Sequence, residues 1–224
     1  MGETVEFPSN GSTCVGYMAV PDTTGPGLVV IQEWWGLVGH IKDVCDRFAR
    51  EGFVALAPDL YHGKSAGLDE PDEAGKHLMA MEIDQALKDM SGAVEYLRDN
   101  PVVEPKKIGT VGFCMGGNLS LLLASEKPVD AAVAFYPYPR TELHCETVRG
   151  AVQLHIAEHD QAPSPEMAEQ IVKQVQGAGR HGELHVYPGT DHAFFNDERP
   201  ETYKPDAAKL SWDRTLAFFR EYLA

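Results

Sequence analysis

Lys107-Ile108-Gly109-Thr110-Val111-Gly112-Phe113-Cys114-Met115-Gly116-Gly117-Asn118-Leu119-Ser120-Leu121-Leu122-Leu123-Ala124 changes character twice within one short stretch. Ile108 to Gly112 is an apolar run with β-branched residues, the pattern of a buried parallel strand. From Met115 onward the composition is helical, with Leu119, Leu122 and Leu123 on one face. Between the two sits one reactive side chain, Cys114, with a glycine two residues away on each side. A strand that turns at once into a helix makes a sharp corner. Side chains at Gly112 and Gly116 are expected to collide with backbone there, so glycine is needed. The corner lifts Cys114 above the sheet at a helix N-terminus, where the dipole and unpaired N–H groups favour a thiolate and any negative charge developing on a substrate. This is the nucleophile-elbow pattern with cysteine where serine is usual. The competing reading of the five-residue match alone is a buried structural cysteine after a strand. The strand–turn–helix context favours the functional one.

Outward from the elbow, strand and helix patterns alternate. Thr4 to Phe7 and Thr13 to Val20 flank Ser9-Asn10-Gly11 and read as an N-terminal antiparallel hairpin. Gly27 to Gln32 is a buried strand running into Glu33-Trp34-Trp35-Gly36, followed by a helix over Val38 to Arg50. Phe53 to Ala57 is a strand ending at Pro58-Asp59. A polar segment, Gly67 to Glu73, leads into helical sequence over Ala74 to Arg98 with a break near Asp84, and Asn100-Pro101 stops it. Val129 to Phe135 and Ala151 to Ala157 are further buried strands. Pro165 to Ala178 is a helix, Glu183 to Tyr187 a strand, and Pro205 to Tyr222 a closing amphipathic helix. The alternation predicts an α/β fold: a mostly parallel central sheet with helices on both faces, in one domain over residues 1–224.

The 224 residues suffice for a full core without staples, and the hydrophobic share of 43% is ordinary. A formal net charge of -15 argues against nucleic acid or an anionic membrane as a partner. The same field repels anionic substrates unless a local basic clamp overrides it. Plain solubility is the simpler reading of that charge. The four cysteines, Cys14, Cys45, Cys114 and Cys145, form no C-x-x-C pair and suggest free thiols in a reducing cytoplasm. No apolar run is long enough to span a bilayer, and no secretory pattern opens the chain. His155 and His159 are four apart but lie at a strand end rather than on a helix, and His144-Cys145 is an equally weak pair, so neither a metal nor another cofactor is expected.

Sites in open parallel sheets lie beyond the carboxyl ends of the strands. Glu33, Cys114, Asp160 and His192 fall there. Singly, each has a plainer reading: Asp160 as a turn or cap residue, His192 as a packed loop histidine, Glu33 as a rim carboxylate. Together they run nucleophile, acid, histidine, the order of an α/β-hydrolase triad. His192 would take the thiol proton, and Asp160 would fix its tautomer and orientation. Oxyanion donors follow by position: the backbone N–H of Met115, after the nucleophile, and that of Trp34, in the loop after the Gly27–Gln32 strand.

The chain resembles the dienelactone hydrolase (carboxymethylenebutenolidase) family of α/β-hydrolases. The matching pieces are Gln32-Glu33-Trp34-Trp35-Gly36, Ala57-Pro58-Asp59-Leu60-Tyr61, Gly112-Phe113-Cys114-Met115-Gly116-Gly117, Ala134-Phe135-Tyr136, Asp160 and Gly189-Thr190-Asp191-His192-Ala193-Phe194. The resemblance implies a Cys114–His192–Asp160 triad. It implies a Glu33 that pairs with the resting cysteine and helps deprotonate it. It also implies a pocket to which Tyr136, with Trp35 and Phe194, contributes. Where family enzymes hold the substrate carboxylate with two arginines, this chain has Pro71-Asp72-Glu73 and Asn196. Neutral or weakly charged esters and lactones are therefore the expected substrates, unless Arg199, Lys76 or Lys204 supplies a displaced clamp. The alternatives are a related hydrolase acting on a phosphotriester or thioester, and a non-catalytic ligand-binding or thiol-redox protein on the same scaffold. A monomer or small homo-oligomer is expected.

Overall fold

The computed structural model describes residues 2–9 and 11–224. Asn10 of the expected hairpin turn lies outside the described residues. An eight-stranded sheet has the order β1-β2-β4-β3-β5-β6-β7-β8, formed by β1 (Glu3–Ser9), β2 (Ser12–Ala19), β3 (Gly25–Ile31), β4 (Val54–Pro58), β5 (Val103–Phe113), β6 (Ala131–Phe135), β7 (Ala151–Ala157) and β8 (Gly182–Tyr187). The helices are α1 (Gly39–Arg50), α2 (Pro71–Ala80), α3 (Ile83–Asp99), α4 (Met115–Glu126), α5 (Pro165–Gly177) and α6 (Pro205–Tyr222). The sheet is mixed and mostly parallel, with the antiparallel pairings β1/β2 and β2/β4 at one edge and parallel pairings such as β3/β4, β6/β7 and β7/β8 beyond.

By internal packing the chain divides into two compact units, Met1–Thr110 and Val111–Ala224. In the first, Leu28 to Ile31 of β3 and all of β4 are buried, as their continuous apolar composition requires. Helix α1 buries Ile41, Val44, Cys45 and Phe48, a single apolar stripe at helical spacing. Gly92 of α3 lets β1 approach closely: a Cβ there would stand 2.3 Å from the Pro8 carbonyl oxygen. The helical stretch starts earlier than its sequence suggests, at Pro71 in the first turn of α2, where a missing N–H costs nothing. Its break falls at Met81–Glu82, both extended, rather than at Asp84, which occupies the first turn of α3 and complements that helix's dipole.

Strand β5 also begins before the expected Ile108. After a buried Val103, Glu104 to Lys106 are exposed, so burial did not select an apolar pattern there. In the second unit, α4 departs from the one-faced helix predicted: Met115 through Ala124 are all buried. Strand β7 is buried throughout, including two polar side chains, Gln153 and His155. The His155 ring meets the Tyr187 hydroxyl at 2.7 Å, Gln153 Oε1 at 2.9 Å and Thr215 Oγ1 of α6 at 3.0 Å. Burial, then the nearby His185 and Arg214, holds His155 well below the usual imidazole range. It is a neutral, fully bonded packing residue.

Candidate active site

Gly112 closes β5 against the first turn of α4. A Cβ at Gly112 would stand 1.8 Å from the Gly116 carbonyl oxygen, so only glycine fits. Gly117 is nearly as tight, with the Phe135 carbonyl oxygen 2.8 Å from a Cβ built there. Cys114 caps α4 at φ 56°, ψ -122°, a backbone region that non-glycine residues rarely adopt. Backbone bonds on both sides hold it there. Its N–H donates to the Phe135 carbonyl (3.1 Å), and its carbonyl accepts from Gly117 (2.9 Å) and Tyr138 (2.8 Å). The loop after β6 is tied to the same helix by Asn118, whose buried amide oxygen accepts from the N–H groups of Arg140 (3.1 Å) and Thr141 (3.3 Å). A polar residue four after Cys114 in a buried helix was the available signal for Asn118.

The loops after β7 and β8 are stitched together. The N–H groups of Glu158 and His159 donate to the carbonyls of Tyr187 and Thr190. Gly189 N–H donates to the Glu158 carboxylate at 2.8 Å, and Thr190 Oγ1 donates to the Tyr187 carbonyl at 2.7 Å. This stitching brings His192 and Asp160 together: Nδ1 lies 2.7 Å from Asp160 Oδ1. The second carboxylate oxygen, Oδ2, accepts the Ala157 N–H at 3.1 Å, so the buried Asp160 cannot rotate freely. The His192 side chain is 35% exposed. Burial is the largest influence on its imidazole and pulls it down. Hydrogen bonds with the Asp160 and Cys114 side chains, with attraction to both, outweigh burial and raise it to about 10. His192 and Asp160 are therefore a bonded pair within the second unit, with Cys114 near enough to act on the imidazole.

Tyr136 and Phe194 are fully buried behind this pair. The Tyr136 ring meets the His192 ring edge-on at 4.9 Å and the Phe194 ring at 5.5 Å. Tyr136 has φ 36°, and its N–H donates to the His155 carbonyl at 2.7 Å. Met115, the first residue of α4, is fully buried. Asn196 is buried as well, and its side-chain oxygen accepts the Glu198 N–H at 3.0 Å, so it serves its own loop. Arg199 is engaged by Glu201 at 2.8 Å, and Lys204 caps α6.

In the first unit, Glu33 (buried), Trp34 and Trp35 (buried) follow β3 directly. The two tryptophan rings meet edge-on at 4.8 Å. Lys76 is paired with Glu73 at 2.8 Å. The other three thiols are buried: burial, then Asp89 and Asp59, pushes Cys14 up to about 12; burial, then Glu146, pushes Cys145 up to about 11; burial, then Asp46, raises Cys45. Among the described residues no group of three or more His, Cys, Asp or Glu side chains could hold a metal ion, and no helix is long and apolar enough to cross a membrane.

Known proteins align over the whole chain. "Protein usf" of Aquifex pyrophilus is 42% identical over 232 residues, covering 100% of each chain. A "Putative carboxymethylenebutenolidase" of Aquifex aeolicus is 38% identical, again over 100% of each. The crystal structure of a "Putative Dienelactone Hydrolase" from Klebsiella pneumoniae superimposes with a TM-score of 0.87 at 28% identity, covering 99% of both chains. The model of the dienelactone hydrolase family matches residues 14–223. The chain belongs to the dienelactone hydrolase family of α/β-hydrolases and is a dienelactone hydrolase-like hydrolase.

Proposed function

We propose that the chain hydrolyses carboxylic esters and lactones by acyl transfer through Cys114. The observation that carries this reading is the His192 imidazole, held 2.7 Å from Asp160, which burial pulls down but Asp160 and the nearby Cys114 raise to about 10. His192 takes the Cys114 thiol proton to form the nucleophile. The thiolate attacks the ester carbonyl, and the oxyanion is received by the N–H groups of Met115 and Trp34. His192 passes its proton to the departing alkoxide or enolate, leaving a Cys114 thioester and a neutral imidazole. The same imidazole then takes a proton from water, which attacks the thioester and returns Cys114 as thiolate. Asp160 keeps the ring oriented throughout. Glu33 is assigned to pair with the resting cysteine, and Trp35, Tyr136 and Phe194 to support the walls of the acyl pocket.

Neutral or weakly charged esters and lactones are the proposed substrate class. Asn196 serves its own loop, while Arg199 and Lys76 are already matched to carboxylates. A substrate carboxylate thus meets an acidic protein, net -15, without a dedicated cation. A missing charged hydrogen bond costs about 1.5–3 kcal/mol. The test is steady-state turnover of p-nitrophenyl acetate, a neutral short-chain lactone and a dienelactone dianion. Cys114→Ala should abolish all three, and the neutral substrates should show the higher kcat/KM. Full turnover in Cys114→Ala rules out the nucleophile assignment, and a strong preference for the dianion rules out the substrate class.

A further inference from the structure

The Trp34 peptide, proposed above as an oxyanion donor, sits in a turn held from several sides. Gly36 N–H donates to the Glu33 carbonyl at 3.2 Å. That carbonyl and the Trp34 N–H share one planar trans peptide, so they point in opposite directions. Drawing the carbonyl into the turn aims the N–H out of it. The next two carbonyls are held as well. The Tyr61 hydroxyl donates to the Trp34 carbonyl at 3.1 Å, and Ala66 N–H donates to the Trp35 carbonyl at 2.9 Å. Gly36, at φ 97°, also bridges to Ser65, and a Cβ on it would stand 3.0 Å from the Lys64 carbonyl oxygen. Three successive carbonyls are thus fixed, and the middle bond is made by a side chain.

We infer that Tyr61 is a positioning residue for the Trp34 N–H, an assignment that rests on the oxyanion role proposed for Trp34. Tyr61 is built to hold still. It is 6% exposed. The Asp59 carboxylate accepts the N–H groups of Tyr61 (3.1 Å) and Gly63 (2.6 Å), closing the loop that follows β4. The next residue, His62, takes the left-handed φ of 52° and meets the fully buried Asp89 of α3 at 3.1 Å. From α2, the His77 ring packs on the Tyr61 ring at 5.5 Å. Trp35 packs with Ala66 of the same loop and Ala74 of α2. The phenol is therefore a fixed strut between a closed loop and one carbonyl of the Trp34 turn. Without it, the Trp34–Trp35 peptide is free to turn, and the adjoining Glu33–Trp34 peptide that carries the N–H loses the fixed neighbour on its C-terminal side. The loss falls where charge develops on the substrate oxygen, and so on kcat more than on KM.

Tyr61→Phe keeps the ring and removes only the donor. Full loss of an oxyanion donor costs roughly 10²–10³ in kcat, so a loosened one is expected to cost roughly tenfold with KM little changed. Two probes separate positioning from packing. A trifluoromethyl ketone forms a C–S bond with Cys114 while the carbonyl electron pair moves to oxygen, so its affinity reads the oxyanion site and should fall in step with kcat. Alkylation of Cys114 by iodoacetamide expels iodide and develops no oxyanion, so its rate should match the parent. Parent kcat and parent ketone affinity in Tyr61→Phe overturn the inference, as does alkylation slowed in step with turnover. Cys114→Ala, run alongside, sorts the two levels. Ester turnover surviving in Cys114→Ala overturns the acyl-transfer reading and this inference with it. Abolished turnover beside an unaffected Tyr61→Phe overturns the inference alone.

Discussion

At the scale of single residues, His192 links chemistry to pH. Its folded value of about 10 lies above the ordinary 6.5, because Asp160 and Cys114 favour the charged ring more than burial disfavours it. A raised value means the folded protein holds that proton more tightly than the unfolded chain. The resulting stabilisation is fully present below about pH 6.5 and is lost as pH climbs through about 10. Asp160→Asn removes one source, so its melting temperature should lie below the parent's near neutrality, and the gap should close toward pH 10. The same variant should lose roughly 10²–10⁴ in kcat through the wrong tautomer, with the circular-dichroism spectrum as the control for an intact fold. The pairing of Asp160 with His192 was legible at this scale, because both are side-chain types tied to strand ends. Tyr61 was not legible as a strut, because its acceptor is a backbone carbonyl, which leaves no mark in a sequence.

At the scale of elements, the elbow shows how a strand can specify the helix that follows it. Gly112→Ala would drive a methyl into the Gly116 carbonyl at 1.8 Å, an overlap with backbone that no rotamer change relieves. A loss of at least about 3 kcal/mol is expected, seen as a lowered urea midpoint or as insoluble protein. Melting behaviour equal to the parent's would show that the corner can open. The sequence was readable where burial and periodicity agree, as in α1 and in the interior strands. It was opaque where they part. The exposed stretch of β5, Glu104 to Lys106, has no apolar signature. Helix α4 is buried on all sides, so no polar face marks its orientation. The break at Met81–Glu82 contains neither proline nor glycine, and only the extended backbone of both residues ends α2.

At the scale of the whole molecule, the net charge of -15 acts on every approaching ligand. With Lys76, Arg199 and other surface cations matched to carboxylates, added salt should raise kcat/KM for a dienelactone dianion and leave that for a neutral ester unchanged. Salt-independent kinetics with the dianion would point to a local cation that shields it. Another molecule-wide property is how the four thiols are distributed. Cys14, Cys45 and Cys145 are sealed inside packed structure, where modification waits on local opening, while Cys114 is partly open to solvent. The native enzyme therefore carries its own tally mark. A brief exposure to a thiol-reactive reagent should add a single adduct to the intact mass, and the fraction of molecules so marked measures how much of any preparation presents a reduced Cys114.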